Sequence, residues 1–153
     1  DTFKLYIDIA NKELKDLVKR VDLFCINFNE ARALSEMDGS DLLSMSRRIL
    51  ELGPKSLIIK DGENGSHYFD SKNHFSIKAF PVNEVIDTTG AGDAYIGGIL
   101  MGKMSGLSIF DAMKMGAVTA SFCIEGVGVE GLLKINDLEF EKRLAWMNTN
   151  HTS

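Results

Sequence analysis

The sequence contains the stretch Asp87-Thr-Thr-Gly-Ala-Gly-Asp93, which opens an apolar helical run from Ala94 to Met104. The stretch joins a turn of small residues, a helix start and a carboxylate within one helical turn. Main-chain N–H groups exposed at a helix start attract anions, and the positive end of the helix dipole strengthens that attraction. Gly90 and Gly92 have no Cβ, so a phosphate group can approach the chain closely. We therefore expect a phosphate-binding turn in front of a helix.

Asp93 follows this turn directly, and its position indicates a catalytic role. A carboxylate is negative and therefore a poor phosphate ligand, but it can receive a proton from a group that attacks the phosphate. The pattern thus favours phosphoryl transfer to an alcohol. The structural alternative is a tight turn followed by a first-turn acid that the helix dipole favours.

Composition limits the classes of protein to consider. The chain has 153 residues, of which 44% are hydrophobic and 25% charged, as is typical of one globular domain. No apolar run is as long as a membrane span, and the net charge of −5 with scattered Lys and Arg argues against a nucleic-acid partner. Cys25 and Cys123 are expected to be buried, reduced thiols of a cytoplasmic protein. The histidines, which have no metal-ligand spacing, are expected on strands or in a tail: His67, His74 and His151.

Strands and helices are predicted to alternate, which indicates an α/β fold with a largely parallel sheet. The predicted strands are 21–26, 56–60, 66–69 and 74–80, with a hairpin turn at 61–65. The predicted helices are 12–20 after a cap at Asn11, 29–35, a helix from Ser40 or Asp41 to Leu52, the run after Asp93, 108–125, and 136–146, followed by a frayed end at 148–153. Small residues between Gly116 and Ser121 predict close packing of helix 108–125 against the run after Asp93. Ligands of such sheets bind beyond the carboxyl ends of the strands, where Asn27, Lys60 and the turn at Thr89 are expected.

The string Asp-Thr-x-Gly-Ala-Gly-Asp resembles the signature of the ribokinase (pfkB) family of carbohydrate kinases, and its six fixed positions occur by chance in on the order of one window in 10⁷. The resemblance covers nearly the whole chain and implies that residues 1–153 form a single domain, the C-terminal nucleotide-binding and catalytic half of such a kinase. The implied fold is a three-layer α/β/α ribokinase-like (Rossmann-like) sandwich with a mostly parallel sheet, lacking the N-terminal half and its lid.

The resemblance also implies a mechanism. Asp93 would be the catalytic base and the N–H groups of Gly90, Ala91 and Gly92 the anion hole, for transfer of the γ-phosphoryl group of ATP to a hydroxyl of a sugar, sugar-like or nucleoside substrate. The alternatives are a vitamin kinase or an ADP-dependent sugar kinase of the same superfamily, a non-catalytic nucleotide- or sugar-binding relative, and a generic nucleotide-binding domain. The complete string favours the carbohydrate kinases.

Two segments resemble nucleotide and magnesium sites of the family. Asn27-Phe-Asn-Glu30 is similar to its Asn-x-x-Glu motif, and an amide and a carboxylate suffice for Mg²⁺ because this ion retains several waters; Asn29 as a helix cap is the alternative. Lys60, Gly62 and Gly65 resemble the segment that borders the nucleotide, where Lys60 could pair with a phosphate. A solvated turn lysine and hairpin glycines are the alternative for this segment.

The Thr-Thr pair in front of Gly90 carries further assignments by resemblance. Thr88 is assigned to the nucleotide, while Asp87 and Thr89 would surround a monovalent cation such as K⁺ together with carbonyl groups of the loop 126–131. Alternatively, Thr88 or Thr89 caps the helix and Asp87 bonds the turn.

Members of this family are about twice as long, so we expect this chain to be a fragment whose start, at Asp1-Thr-Phe3, resembles the end of an inner strand. A divided sheet exposes an unpaired edge and apolar surface. The expected partners are a small sugar or nucleoside substrate and the missing N-terminal half, and the resemblance is compatible with a homodimer through the lid. The residues that would select the substrate belong to the absent half.

Overall fold

The computed structural model describes residue 7, residues 11–37 and residues 41–151. These residues fall into two compact units. Unit 1 comprises the described residues up to Gly62 together with Ser66–Ser76, and unit 2 comprises Glu63–Gly65 and the described residues from Ile77 onward. The expectations for residues 1–3, for a cap formed by the Asn11 side chain and for a helix start at Ser40 lie outside what is described.

Unit 1 combines helices with a small sheet, as the alternating pattern predicts. Its helices are α1 (Asn11–Val18), α2 (Phe28–Ser35) and α3 (Leu42–Leu50), and its strands are β1 (Leu23–Asn27), β2 (Ser56–Lys60), β3 (Ser66–Asp70) and β4 (His74–Ile77), the last residue of which belongs to unit 2. Asp41 caps α3 through hydrogen bonds from the N–H groups of Leu43 and Ser44. The strand predicted over 74–80 ends at Ile77.

The sheet has the strand order β1-β2-β3-β4. β1 and β2 are parallel, whereas β2 and β3 are antiparallel. The described strands therefore form a mixed sheet where a largely parallel one was predicted, because the short connection from Asp61 to Gly65 reverses the chain into the predicted hairpin. His67 and His74 lie on β3 and β4, as expected.

Strands β1 and β2 are buried along their three central residues. Successive side chains of a strand point to opposite faces, so three buried positions in a row mean that both faces are covered. This explains why Phe24-Cys-Ile26 and Leu57-Ile-Ile59 are continuous apolar runs. The core on one face joins these strands to the helices, and includes Val18, Phe24, Ile26, Leu34, Ile49, Leu57, Ile59 and Phe69.

Unit 2 contains the helices α4 (Ala91–Met104), α5 (Ile109–Cys123), α6 (Glu130–Leu133) and α7 (Asp137–Asn150). The close packing predicted for α4 and α5 is confirmed: a Cβ added at Gly98 would lie 2.8 Å from the Cα of Gly116, and one added at Gly116 would lie 2.7 Å from the carbonyl oxygen of Tyr95. Within the described residues, none of the helices has the length and apolar character needed to span a bilayer.

Helix α7 begins after the predicted cap, Asn136, but extends beyond the predicted end at Trp146. The expectation of a frayed end is wrong for the residues up to His151, which is buried. Its Nε2 accepts a hydrogen bond from the N–H of Lys78 at 2.9 Å, and its Nδ1 lies 3.1 Å from the carbonyl oxygen of Met147. These two contacts assign the proton to Nδ1 and hold the last turn of the helix in place.

Candidate functional site

The turn in front of α4, residues 87–92, is here called the Gly90 turn. Gly90 is the residue that precedes the helix and has a φ of 81°. This left-handed conformation is favourable for glycine and strained for residues with a side chain. No side chain caps the helix, and Thr88 and Thr89 are both exposed, so the alternative in which a threonine is the cap is wrong.

Main-chain donors at this turn remain available. The N–H of Ala91 donates to the carbonyl oxygen of Thr88 at 3.2 Å, whereas, among the hydrogen bonds of the described residues, none involves the N–H of Gly90 or Gly92. Two of the three donors predicted for the anion hole are thus open, and the third is engaged in a long hydrogen bond. They lie at the positive end of a helix of 14 residues.

Asp93 is the third residue of α4 and is exposed, while its neighbours Ala94 and Tyr95 are buried. The hydrogen bond from Ala94 N to Gly90 O, at 2.9 Å, fixes the first turn of the helix. An accessible carboxylate therefore stands beside two open N–H donors. A carboxylate enclosed by packed side chains could not exchange a proton with a substrate.

Asp87 joins two segments of unit 2. Its Oδ1 accepts the N–H of Thr89 at 2.9 Å, and its Oδ2 accepts the N–H of Gly128 at 3.2 Å. Hydrogen bonds from the main chain and side chain of Thr89, and then from Gly128, lower the pKa of Asp87 because they stabilise its charged form. The loop 126–131 lies beside the turn, as the resemblance implied, but its contact with Asp87 is made through an N–H group. These contacts agree with the alternative stated above, in which Asp87 forms hydrogen bonds with the turn.

The end of α5 supports the Gly90 turn from behind. The carbonyl oxygen of Ile124 accepts the N–H groups of Ile86 and Asp87 at 2.8 and 3.3 Å. The Sγ of Cys123 lies 3.6 Å from the carbonyl oxygen of Thr89. Sequence reasoning missed these two supporting residues; their position directly before the glycine-containing loop is the signal that could have indicated them.

Both cysteines are buried and free, as predicted. Burial raises the pKa of Cys25 to about 11. Burial, and then the negative charges of Asp87 and Asp93, raise the pKa of Cys123. Both side chains are therefore thiols near neutral pH, because each environment disfavours the thiolate.

The predicted magnesium residues of unit 1 form a capping box at the start of α2. The Oδ1 of Asn27 accepts the N–H of Glu30 at 2.9 Å, and the Oε2 of Glu30 accepts the N–H of Asn27 at 2.8 Å. The cap is Asn27, so the alternative that assigned this role to Asn29 named the wrong residue. Such a pair can still coordinate a magnesium ion, directly or through water, with the oxygen lone pairs that the capping box leaves unused, and further waters would complete the coordination shell. Over the described ranges, no three His, Cys, Asp or Glu side chains form a metal-binding cluster.

Lys60 lies beside Asn27, because these residues are register partners at the carboxyl ends of the parallel strands β2 and β1. The expected juxtaposition of these two residues is therefore present. Gly62 has a φ of 54° and begins a short 3₁₀ turn. Gly65 has a φ of 93°, and an added Cβ would lie 2.1 Å from the carbonyl oxygen of Ile77. The backbone geometry of the connection thus requires glycine at Gly65 whether or not a nucleotide binds there.

The predicted site residues accordingly form two groups. Unit 1 contains Asn27, Glu30, Lys60 and Gly62. Unit 2 contains Gly65, Asp87, Thr88, Thr89, Gly90, Ala91, Gly92 and Asp93.

The chain matches a known protein family. The model of the pfkB family carbohydrate kinases matches residues 3–135. The chain belongs to the pfkB family of carbohydrate kinases. Sequence reasoning named this family correctly from the string at 87–93.

Individual known proteins are similar to this chain in sequence and in fold. Fructokinase-2 from Oryza sativa subsp. japonica is 32% identical over 126 residues, which are 76% of this chain and 36% of that protein. The ribokinase of Arabidopsis thaliana, solved with ribose and ATP, has a TM-score of 0.76 at 25% identity and matches 85% of this chain and 43% of its own. Adenosine kinase from Sinorhizobium meliloti has a TM-score of 0.77 at 28% identity, with 92% and 42% covered.

These neighbours confirm the predicted ribokinase-like α/β fold. The chain spans between about a third and a half of the length of each relative compared above.

Proposed function

We propose that the full-length protein that contains this chain transfers the γ-phosphoryl group of ATP to a hydroxyl group of a sugar, sugar-like or nucleoside substrate. Membership of the pfkB family supports a kinase, and the relatives include a fructokinase, a ribokinase solved with ribose and ATP, and an adenosine kinase. The observation that carries the proposal is the exposed carboxylate of Asp93 beside the open N–H groups of Gly90 and Gly92.

In this proposal the Gly90 turn holds the transferred phosphoryl group. The N–H groups of Gly90 and Gly92 donate to its oxygens, Ala91 adds a third donor if its bond to Thr88 opens, and the α4 dipole contributes positive potential. Asp93 orients the attacking hydroxyl and accepts its proton. A carboxylate is a weak base, but the transition state of phosphoryl transfer is loose and the proton can leave late. Orientation and charge stabilisation then account for most of the rate.

The nucleotide and its metal would be held by the remaining predicted residues. Asn27 and Glu30 would hold Mg²⁺ through water, and the ion would neutralise phosphate charge. Lys60, Gly62, Gly65 and Thr88 would border the nucleotide. A monovalent cation such as K⁺ beside Asp87 and Thr89 would have to share the Asp87 carboxylate with the N–H groups of Thr89 and Gly128.

The rest of the family fold is the partner that this proposal requires. α4 exposes Leu100, Met101 and Met104, of which 57%, 63% and 88% are accessible. Positions 93, 97, 100, 101 and 104 share one face of a helix, so a surface that covers these apolar side chains also reaches Asp93. We infer that residues 1–153 act as the C-terminal nucleotide-binding domain, that the other half of a cytoplasmic enzyme covers this face, and that this half brings the substrate. A homodimer is the alternative cover.

The test uses the full-length protein with a panel of hexoses, pentoses, sugar acids, nucleosides and vitamin alcohols. It measures ADP release with ATP as the phosphoryl donor and, separately, AMP release with ADP as the donor. Turnover of one sugar or nucleoside with ATP supports the proposal. Turnover with ADP as the donor, or of a vitamin alcohol only, would favour the other kinases of the superfamily. Binding of ATP without turnover of any acceptor would favour the non-catalytic relative.

A further inference from the structure

The last turn of α5 makes contacts on two sides. On one side, Ile124 accepts the N–H groups of Ile86 and Asp87, and Cys123 contacts Thr89, so this side supports the Gly90 turn. On the other side, one cation from α7 contacts Ser121 and Phe122 in this turn and Glu125 just beyond the end of α5. That cation is Arg143.

Arg143 is 9% exposed and its hydrogen bonds are directional. One terminal nitrogen donates to Ser121 Oγ at 2.8 Å and the other to Glu125 Oε2 at 2.7 Å. The guanidinium carbon lies 3.8 Å from the centroid of the Phe122 ring, and Nε donates to Glu139 on its own helix at 3.4 Å. A planar guanidinium that is paired in this manner fixes orientation as well as distance.

We propose that Arg143 is a positioning residue for the Gly90 turn. It holds the end of α5, which sets the position of the Ile124 carbonyl group behind residues 86 and 87. It also fixes Glu125 immediately before the loop 126–131, whose Gly128 N–H binds Asp87. The consequence for nucleotide binding depends on the function proposed above, whereas the consequence for the order of the turn does not.

A second buried cation provides a matched control. Lys114 is 5% exposed and also joins α5 to α7, since its Nζ lies 3.1 Å from Asn148 Oδ1 and 3.1 Å from Asp111 Oδ1. It lies in the first half of α5, away from the turn that Arg143 contacts. Removal of either cation should destabilise the helix pair, but only the partners of Arg143 adjoin Cys123 and Ile124, the residues that contact the segment 86–89.

The experiment compares Arg143→Met, Arg143→Lys and Lys114→Met in the full-length protein. It measures the amide hydrogen exchange of Ile86 and Asp87, and the affinity for Mg²⁺ and a non-hydrolysable ATP analogue by calorimetry. We expect Arg143→Met to accelerate exchange at both amides and to weaken analogue binding roughly 3- to 30-fold. Lys114→Met should change neither, and Arg143→Lys should be intermediate because lysine cannot bond Ser121 and Glu125 in the same planar geometry.

Equal exchange at residues 86 and 87 in the two methionine variants would overturn the proposal, and so would an unchanged analogue affinity in Arg143→Met. A wild-type protein that binds no analogue would refute the proposed function itself and, with it, the part of the proposal that concerns the nucleotide. The wild-type titration alone shows whether the analogue binds, so failure of the proposed function can be distinguished from failure of the proposal for Arg143. The exchange data would then decide alone whether Arg143 orders the turn.

Discussion

The carboxylate of Asp87 accepts the N–H of Gly128 at 3.2 Å across 41 residues of sequence. Its other oxygen bonds Thr89, two residues away. One side chain thus joins the turn in front of α4 to the loop after α5. The position of the open N–H groups at Gly90 and Gly92 therefore depends on packing as well as on the local sequence.

Asp93→Asn should reduce the turnover number of the full-length enzyme by roughly 10²- to 10⁴-fold and leave ATP affinity close to that of the wild type, because it removes the proton acceptor and keeps the size of the side chain. Steady-state kinetics and calorimetry measure the two effects. Asp137→Asn, which changes an exposed first-turn acid of α7, is the control for a simple helix-dipole role. Similar turnover in the two variants would contradict the assignment of Asp93 as the base.

Gly90→Val should weaken ATP binding and reduce turnover, because the side chain enters the space that a phosphate would occupy. The positive φ of Gly90 adds backbone strain of about 1–2 kcal/mol, which has to be separated from that effect. Gly106→Val is the matched control, because Gly106 has a φ of 82° and open space around its Cβ position. Both variants should lower the melting temperature, and only Gly90→Val should change nucleotide affinity. Wild-type nucleotide affinity in Gly90→Val would exclude the anion hole.

Asn27→Ser separates the capping role of Asn27 from its proposed magnesium role. Serine is as good an N-cap as asparagine, so the free energy of unfolding should change little, whereas Asn27→Ala should lose about 1 kcal/mol. If the amide oxygen contributes to the Mg²⁺ site, Asn27→Ser should require more Mg²⁺ for half-maximal rate. A magnesium titration and urea unfolding test the two roles. Asn136→Ser, at the equivalent cap of α7, should leave the magnesium requirement unchanged, and the same result for Asn27→Ser would argue against the metal role.

Asp70 should make the stability of the β3–β4 hairpin depend on pH. Burial alone would raise its pKa, but hydrogen bonds from the Asn73 side chain, from the N–H groups of Lys72 and Asn73 and from the Tyr68 hydroxyl together lower it to about 2. The unfolded chain titrates near 4, so the stabilisation is complete above about pH 5 and is lost as the pH falls from about 4 towards 2.

The measurement for Asp70 is urea unfolding of the wild type and of Asp70→Ala between pH 7 and pH 2.5. The wild type should be the more stable protein at pH 7, and the difference between the two should shrink as the pH decreases below 4. A difference that stays constant over this range would show that the Asp70 carboxylate does not carry the stabilisation.

Local sequence was sufficient for much of the fold. The apolar runs at Phe24–Ile26 and Leu57–Ile59 predicted two buried strands, and Asn136 predicted the start of α7, because these signals depend on residues close together in the chain. The string at 87–93 predicted the family correctly, since the glycines and the acid that define it are contiguous. The hairpin turn at 61–65 was also predicted correctly, and it makes β2 and β3 antiparallel, so the described strands form a mixed sheet.

Tertiary structure decided which groups stay available for chemistry. The sequence determined that a glycine turn, a helix start and Asp93 are adjacent, because all three lie within seven residues of sequence. Only the fold decided that Asp87 accepts a hydrogen bond from Gly128, that Ile124 accepts the N–H groups of Ile86 and Asp87, and that Arg143 binds Ser121 and Glu125. It also decided that His151 is buried and bonded to Lys78. Each of these contacts joins residues that are distant in the chain, so their partners are set by the packing of α4, α5 and α7 and by no local pattern.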